Sequence, residues 1–390
     1  MTAGGRPARA FDLLVVGAGI VGLGVALAAA RSGRKVAVID RDSRANGASI
    51  RNFGFVTVTG QRAGAHWERA RRSRDLWEAV APEAGIRVVQ QGLVMPAYRA
   101  EAAEVLHAFL GTDMGAECSL VSLAEATRRV PFLRTEGIRD ILLSPHELRV
   151  ESREALPQLA RWLAGAFSVE FRWNTAVLAI EPGGVATSRG FVAAEAIVVC
   201  PGDHFSGLYP DLISRQELRV CTLQMLRVAG DGLPRMLSPL MSDRSFARYE
   251  GFSALGPAAA LQARLAAEEP AMGEYGVHLI AVQSADGSLV VGDSHVYGES
   301  AEPFASTRVE ELILAAMDEV LDLPRRVVSE RWVGSYASSA TRTVLVERPA
   351  PNVRLVMVTG GTGASTGLAL GEQVVADLFD PSPEVARALE

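Results

Sequence analysis

"VVGAGIVG" occupies residues 15–22 and carries the spacing G-x-G-x-x-G, formed by Gly17, Gly19 and Gly22. A short apolar run before it predicts a buried strand, and the small residues after it predict a helix over 20–32. In such a turn the first glycine permits the bend, the second lets a pyrophosphate approach the backbone, and the third allows close packing of the helix. The stretch therefore predicts a dinucleotide-binding βαβ unit.

The end of the second predicted strand narrows the choice of dinucleotide. The segment "KVAVID" ends at Asp40, where a carboxylate accepts hydrogen bonds from ribose hydroxyls and repels a 2′-phosphate. This residue favours FAD or NAD over NADP. Asp40, the neighbouring Arg41, and Ile20 and Val21 at the helix start are therefore predicted cofactor contacts.

The organisation of the rest of the chain favours FAD. A nicotinamide-dependent Rossmann dehydrogenase would continue with regular βα repeats, whereas here core-type βα segments at both ends and in the middle bracket two insertions. This pattern predicts an α/β, Rossmann-like FAD-binding domain assembled from the discontinuous segments 1–85, 146–215 and 325–390. A β-rich substrate domain is predicted from 86–145 and 216–324.

A second glycine-rich turn, "GGTGASTGLALG" at 360–371, again leads from an apolar strand into a helical pattern. The N-terminus of a helix carries partial positive charge and would stabilise the negative charge that collects on the pyrimidine side of a flavin on reduction. We therefore assign the first turn to the pyrophosphate and the second to the flavin ring. Pro201 and Gly202, in the small-residue turn of "VVCPGDH", are predicted to line another side of the same elongated cofactor.

Composition argues against several other classes of function. The formal net charge is −6 and basic runs are scarce, which disfavours nucleic acid as a partner. No run of about 20 apolar residues predicts a membrane span, and no secretion signal is recognisable, so a cytoplasmic protein is expected. Three scattered cysteines predict neither a disulfide framework nor a metal site. Since Lys35 is the one lysine, a bound anion must be met by arginine, histidine or backbone.

Together these motifs resemble those of the FAD-dependent amine and amino-acid oxidoreductases, a family that includes D-amino acid, glycine and sarcosine oxidases. The resemblance covers nearly the full length and rests on "VVGAGIVG" with "VID", on "GASIRNFG", on "AIVVCPGDH" and on "GGTGASTG". It implies a fold like that of glycine and D-amino acid oxidases. It implies non-covalent FAD, since no cysteine follows Cys221 to carry the flavin. It also implies cofactor contacts at Ser49, Arg51, Asn52, Gly54, Val177, Gly361, Gly363, Ser365 and Thr366.

Three further stretches, "RNFGFVTVTGQ", "RYEGFSALG" and "DGSLVVGDSH", resemble a branch of this family associated with aminophosphonate breakdown. The implied substrate is 2-aminoethylphosphonate or its N-methyl derivative. The implied reaction is oxidative deamination or N-demethylation, with hydride transfer to FAD, hydrolysis of the imine, and reoxidation by O2 or another electron acceptor. Members acting on amino acids commonly carry an arginine shortly after a W-x-G motif, where this chain has Tyr336 in "RWVGSY".

A small anionic amine would require cationic and hydroxyl groups on the substrate side of the cavity, and arginine suits a phosphonate because its fork offers several directed donors. The candidates are Arg51, Arg248, Tyr249, His278, His295 and Tyr336. The two histidines flank a hairpin predicted at "ADGS". Four of the candidates also have an ordinary interpretation: Arg51 as a pyrophosphate ligand, Arg248 as a solvated loop charge, His278 as a strand residue and His295 as a turn residue.

Two other functions stay open from the sequence. One is an oxidase of D-amino acids, glycine or sarcosine, which Tyr336 in place of the expected arginine disfavours. The other is a flavin-binding subunit without turnover, which the complete set of cofactor motifs disfavours. The choice between oxidase and dehydrogenase also stays open, since the lysine that assists oxygen in sarcosine oxidases has no counterpart.

Overall fold

The structure is a computed structural model that describes residues 11–230 and 232–389. Its strands are β1 (Phe11–Val16), β2 (Val36–Ile39), β3 (Phe55–Val56), β4 (Val88–Ala97), β5 (Ser119–Leu120), β6 (Asp140–Val150), β7 (Glu170–Arg172), β8 (Val177–Glu181), β9 (Gly184–Thr187), β10 (Gly190–Val199), β11 (Arg219–Ala229), β12 (Leu240–Met241), β13 (Ile280–Gln283), β14 (Leu289–Gly292), β15 (Val296–Gly298), β16 (Val327–Ser338), β17 (Val344–Ala350) and β18 (Val353–Val358). Its α-helices are α1 (Ile20–Arg31), α2 (Ala65–Glu83), α3 (Ala100–Leu110), α4 (Leu123–Arg129), α5 (Ser152–Phe167), α6 (Pro210–Ser214), α7 (Glu250–Ser253), α8 (Ala258–Glu268), α9 (Pro270–Glu274), α10 (Thr307–Val320), α11 (Gly363–Phe379) and α12 (Pro383–Ala388). None of the helices in the described ranges combines the length and the apolar character needed to cross a membrane.

The first sheet has the strand order β17-β18-β10-β1-β2-β7, and β9 extends it beside β10. Strands β18, β10, β1, β2 and β7 run parallel, and β17 is antiparallel to β18. Leu13 and Leu14 of β1 have no exposed surface, because α1, α5 and α11 cover one face of the sheet while β9 and α6 cover the other. A parallel sheet buried on both faces explains the continuous apolar runs of its strands. The predicted Rossmann-like fold from discontinuous segments is confirmed.

The second sheet has the order β15-β11-β14-β13-β12-β4-β6-β3, with β16 paired along β11 and β5 paired with β6. Strands β13 and β14 form the hairpin predicted from the sequence. Strands β3 and β16 fall in the segments 1–85 and 325–390, which were predicted for the FAD-binding domain, but they pair in this second sheet. The chain therefore passes between the two sheets at both strands, and the predicted domain boundaries stay a prediction.

Helices α1 and α11 cross with their backbones in contact, because glycines occupy the crossing. A Cβ atom at Gly24 would lie 2.4 Å from the carbonyl oxygen of Gly367, and one at Gly371 would lie 2.2 Å from the carbonyl carbon of Gly24. Real Cβ atoms do not approach backbone this closely, so any larger residue would push the helices apart. Each helix begins at one of the two glycine-rich turns, and the crossing therefore sets those turns side by side.

This crossing predicts opposite effects of the same substitution at two helical glycines. We expect Gly371→Ala to lower the free energy of unfolding by about 1–3 kcal/mol through overpacking. The control is Gly165→Ala on the exposed face of α5, where a Cβ meets nothing within 4 Å. This change should raise stability by up to about 1 kcal/mol, because alanine favours helix over glycine. Denaturant unfolding of the two variants measures both effects, and equal effects would contradict the packing argument.

Candidate active site

A cavity of about 330 Å³ lies between the carboxyl ends of the parallel strands and the second sheet. From the first sheet it is lined by the segments that follow β1, β10 and β18. From the second sheet it is lined by residues of β3, β11, β13 and β16. In open α/β sheets, ligands bind outside the carboxyl ends of the strands, so the position alone marks a candidate site.

The predicted cofactor residues divide into two groups around this cavity. Those that line it are Ile20, Val21, Ser49, Arg51, Asn52, Gly202, Gly361 and Gly363. Those that lie outside its lining are Gly17, Gly19, Gly22, Asp40, Arg41, Gly54, Val177, Pro201, Ser365 and Thr366. In the second group, Arg41 is exposed, and Val177 starts β8, opposite Thr187 of β9.

The first glycine turn is shaped by close backbone contacts. Gly17 has a φ of 102°, and a Cβ at Gly22 would lie 1.9 Å from the carbonyl oxygen of Gly17. Asp40 fixes the same turn from the second strand, since its Oδ2 accepts a hydrogen bond from the backbone N–H of Ala18 at 2.7 Å. Its Oδ1 accepts one from Asp42 N–H at 2.9 Å. The carboxylate therefore braces the turn, and each of its oxygens has a second lone pair free to accept from a ligand.

Side chains of the loop at 47–54 form hydrogen bonds within the loop and to the start of α1. Asn52 donates to the carbonyl of Ala48 at 2.8 Å and accepts from Gly54 N–H at 2.7 Å. Ser49 Oγ accepts from the first N–H of α1, at Ile20, at 2.9 Å. A Cβ at Gly54 would lie 1.8 Å from the carbonyl oxygen of Val150, so this glycine is required for the close approach to β6. The loop holds its cavity-lining residues in place through these contacts.

The second glycine turn brings the N-terminus of α11 to the cavity, where residues 359–364 contribute to the lining. The hydroxyl of Thr362 is buried and has no hydrogen-bond partner among the described residues. Ser365 and Thr366 are not in the lining. Ser365 Oγ accepts from Thr57 N–H at 2.8 Å, and Thr366 Oγ1 donates to the Thr362 carbonyl at 2.9 Å. These two hydroxyls brace the turn, while its backbone N–H groups stay available to an anion.

All six predicted substrate residues line the same cavity: Arg51, Arg248, Tyr249, His278, His295 and Tyr336. The guanidinium of Arg248 donates to the hydroxyl of Tyr297 at 3.1 Å and forms no ion pair with any described carboxylate. Burial would lower the pKa of Arg248, but Tyr297, Tyr336 and Asp293 raise it above its usual range. Arg248 therefore presents a permanent positive charge to the cavity.

Tyr336 connects the second sheet to the second glycine turn. A Cβ at Gly361 would lie 3.4 Å from the Tyr336 hydroxyl, so the phenol lies directly beside this glycine. Burial raises the pKa of Tyr336 well above its usual value, and the phenol stays a hydrogen-bond donor. The residue that replaces the expected arginine is thus placed between the turn and Arg248.

An acid that sequence reasoning missed, Asp293, lies between the two histidines. Its carboxylate is 3.3 Å from His278 Nε2 and 3.5 Å from His295 Nε2, and the imidazole centroids are 5.3 Å apart. Burial lowers the pKa of both histidines well below the usual value, so both are neutral at pH 7. Burial also raises the pKa of Asp293 to about 7, against the opposing effect of Arg248.

Other lining residues were also missed. The position of Tyr297 had a signal, since it follows His295 by two residues and strand side chains repeat with that period. Gln61 and His66, whose side chains lie 3.2 Å apart, gave no local signal because they belong to a loop and a helix start. Arg62 and Glu250 form an ion pair at the rim of the cavity, with a second contact of 2.8 Å.

Comparison with known proteins identifies the family. The family model described as "FAD dependent oxidoreductase" matches residues 12–378. The chain belongs to this family. Its fold is similar to that of L-proline dehydrogenase from P. horikoshii, with 17% identity, 97% of this chain and 96% of that chain covered, and a TM-score of 0.78. It is also similar to glycine oxidase from Bacillus cereus ATCC 14579, with 17% identity, coverages of 95% and 96%, and a TM-score of 0.75.

A further similar structure contains the cofactor. It is a dithionite-reduced L-α-glycerophosphate oxidase from Mycoplasma pneumoniae with FAD bound, with 15% identity, 98% of this chain and 95% of that chain covered, and a TM-score of 0.70. No curated protein matches the sequence. Family membership makes the chain an FAD-dependent oxidoreductase, and the aminophosphonate branch stays a proposal.

The cavity and the two glycine turns beside it fit FAD. The turn after β1 offers backbone N–H groups at a helix N-terminus, which suits a pyrophosphate. The N-terminus of α11 and the unpartnered hydroxyl of Thr362 offer further donors at the other glycine turn. The first turn of α11 holds no acidic residue that would oppose an electron-rich ring.

The buried His66 predicts a loss of stability in acid. Burial lowers its pKa to about 4, below the 6.5 of an unperturbed histidine, so the unfolded chain binds the proton first as the pH falls. At pH 5 the wild type should have lost about 2 kcal/mol of unfolding free energy through this group, relative to pH 8. His66→Gln should not show that loss. Unfolding of both proteins at the two pH values tests this, and an equal loss in both would contradict it.

Proposed function

We propose that the protein uses FAD to oxidise a small amine that carries an anionic group, and that this group is a phosphonate, as in 2-aminoethylphosphonate or its N-methyl derivative. The observation that carries the proposal is Arg248. Its charge faces the cavity without a described carboxylate partner, and the hydroxyl of Tyr297 orients its fork. A permanent cation in a largely buried wall favours an anionic ligand.

Amine oxidation is supported by the similar structures. By their names these include an L-proline dehydrogenase, a glycine oxidase and an iminodiacetate oxidase, and each of the three named compounds contains an amine nitrogen. FAD, when bound, supplies the acceptor for the two electrons of the C–H bond next to the amine. The chain's own contribution is to bind the substrate, orient it and keep water out, which is how a positioned reactant gains rate.

Apolar side chains would exclude water from the cavity, and hydroxyl groups would donate hydrogen bonds to the substrate. Phe53, Phe55, Met225 and Ile280 line the cavity and exclude water from the carbon to be oxidised. Tyr336 lines it beside Arg248 and stays protonated, so its hydroxyl can donate to an anion. A phosphonate presents three oxygens, which suits a guanidinium fork combined with hydroxyl donors better than a single bidentate clamp.

A second candidate is an amino acid, and Arg342 is the observation that favours it. This arginine follows Tyr336 by six residues, lines the cavity and is exposed at its rim. Its guanidinium makes one long contact, 3.4 Å to the side chain of Gln216. It is therefore available to a carboxylate, although at a different position from the arginine expected after W-x-G.

Anaerobic flavin reduction separates the candidates. The holoenzyme would be mixed without oxygen with 2-aminoethylphosphonate, its N-methyl derivative, glycine, sarcosine, L-proline and D-alanine. We expect the flavin absorption band to bleach with the aminophosphonates. Bleaching with carboxylate substrates alone would reject the phosphonate, and bleaching with none would reject amine oxidation. Peroxide formed on readmitting oxygen distinguishes an oxidase from a dehydrogenase.

Replacing Arg248 tests its part in anion binding. Arg248→Gln removes a charge-assisted hydrogen bond of about 1.5–3 kcal/mol, so the apparent Kd of the substrate should rise roughly 10- to 100-fold. Bound FAD should be retained, because Arg248 lies on the wall of the second sheet. The matched control is Arg161→Gln on the exposed surface of α5, which should leave both unchanged. An unchanged Kd in Arg248→Gln would remove the basis of the proposal.

A further inference from the structure

Asp293 is an unexpected residue in a cavity wall that is proposed to bind an anion. It is only 7% exposed, it lines the cavity beside Arg248, and a carboxylate there would repel a phosphonate or a carboxyl group. Its Oδ1 is buried and has no hydrogen-bond partner among the described residues. A buried carboxyl group in this condition requires a partner of its own.

The two flanking histidines are poorly suited to be that partner. His295 Nδ1 lies 3.0 Å from the carbonyl oxygen of Gly276, which can only accept, so the ring proton resides on Nδ1. His295 Nε2 therefore turns a lone pair towards Asp293. His278 Nδ1 contacts the hydroxyl of Ser245 at 3.1 Å, and its Nε2 faces Asp293 at 3.3 Å without hydrogen-bond geometry. The Asp293 carboxylate therefore needs a hydrogen-bond donor that the described side chains do not supply.

Arg248 and Asp293 also form two separate poles. They carry opposite charges on one wall, yet they do not approach within the 4.0 Å of an ion pair, and Arg248 uses its fork on Tyr297. A ligand with an anionic group at one end and an ammonium group at the other would satisfy both poles at once. An aminoalkylphosphonate and an amino acid both have this form.

We propose that Asp293, held between His278 and His295, is the subsite for the substrate's ammonium group and accepts its proton before oxidation. This inference rests on the proposed function. The step is R–NH3⁺ + Asp–COO⁻ → R–NH2 + Asp–COOH, and it leaves the nitrogen lone pair free. The neutral amine then loses the two electrons and hydrogen of its C–H bond to FAD, the acceptor already required by the reaction.

The charge state of Asp293 sets the pH dependence. The titratable or charged groups around it are Arg248, Tyr249, His278, His295 and Cys221. Both histidines are neutral and both the tyrosine and the cysteine stay protonated at pH 7, because burial shifts their pKa values in those directions. Asp293, with a pKa of about 7, is therefore the group expected to titrate there. The ammonium subsite should lose its charge as the pH falls below 7.

The first test compares the wild-type holoenzyme with Asp293→Asn. Flavin bleaching by 2-aminoethylphosphonate would be followed anaerobically from pH 5.5 to 10. In the wild type the rate at low substrate concentration should rise through a limb near pH 7. In Asp293→Asn that limb should vanish, and the rate at pH 7 should fall roughly 100-fold or more. Asp286→Asn, on the turn of the same hairpin and outside the cavity lining, should behave as the wild type.

The second test separates binding of the ammonium group from a structural role. Ethylphosphonate lacks the amine, and its binding can be followed by the shift it causes in the flavin spectrum. Asp293→Asn should bind ethylphosphonate at least as tightly as the wild type, because a negative charge is removed from the wall. Preference for 2-aminoethylphosphonate over ethylphosphonate should be lost. Equal weakening of both ligands would mean that Asp293 only supports the fold.

Other outcomes overturn the inference or the proposed function separately. If the wild type is reduced by amines and Asp293→Asn keeps its rate and pH profile, the ammonium subsite is wrong and amine oxidation stands. If no amine reduces the wild type, amine oxidation is rejected. The subsite is rejected as well if the wild type binds 2-aminoethylphosphonate and ethylphosphonate equally tightly.

The side chains of His278, Asp293 and His295 also place potential metal-ligating atoms within 4.8 Å of one another. One divalent metal ion per chain in the purified holoenzyme would therefore replace the ammonium subsite by a metal site.

Discussion

The backbone contact between α1 and α11 is the constraint on which the active site depends. Because glycines occupy the crossing, the helices approach closely enough for the N-terminal residues of both to line one cavity. Three other segments of the site contact this pair of helices or the turns that precede them. Ser49 binds the start of α1, Ser365 holds the strand segment at Thr57, and Tyr336 packs against Gly361. A change in the distance between α1 and α11 would therefore alter the positions of the segments that line the cavity.

The features that the sequence predicted correctly are those with local causes. The strand, turn and helix at 11–31 follow from apolar periodicity and glycine spacing, and the β13–β14 hairpin follows from its turn residues. The family was recognisable because its motifs lie in such local units. The passage of β3 and β16 into the second sheet was not predictable in the same way, because the choice of a pairing partner is a long-range event.

The same distinction applies to the site. Arg248 and the two histidines were predicted as substrate contacts because their residue types suit an anion, and they line the cavity. A carboxyl group does not suit an anion, so Asp293 was not predicted. Asp293 acquires its properties from burial and from neighbours on other strands, and neither is visible in "GDSH". Gly54 shows the converse, since its motif predicted a cofactor contact while the structure places it against the backbone of β6. Environment, more than residue type, decides what these positions do.

The distance along the chain between the two glycine turns has a consequence for biosynthesis. The first turn is synthesised long before the helix that completes its packing surface, because that helix begins at Gly363. Until α11 is made, the glycine face of α1 and one side of the cofactor cavity stay open to solvent. The apolar cluster that α1 and α11 share therefore stays incomplete until α11 has been synthesised, and cofactor capture by the complete cavity has to follow that step.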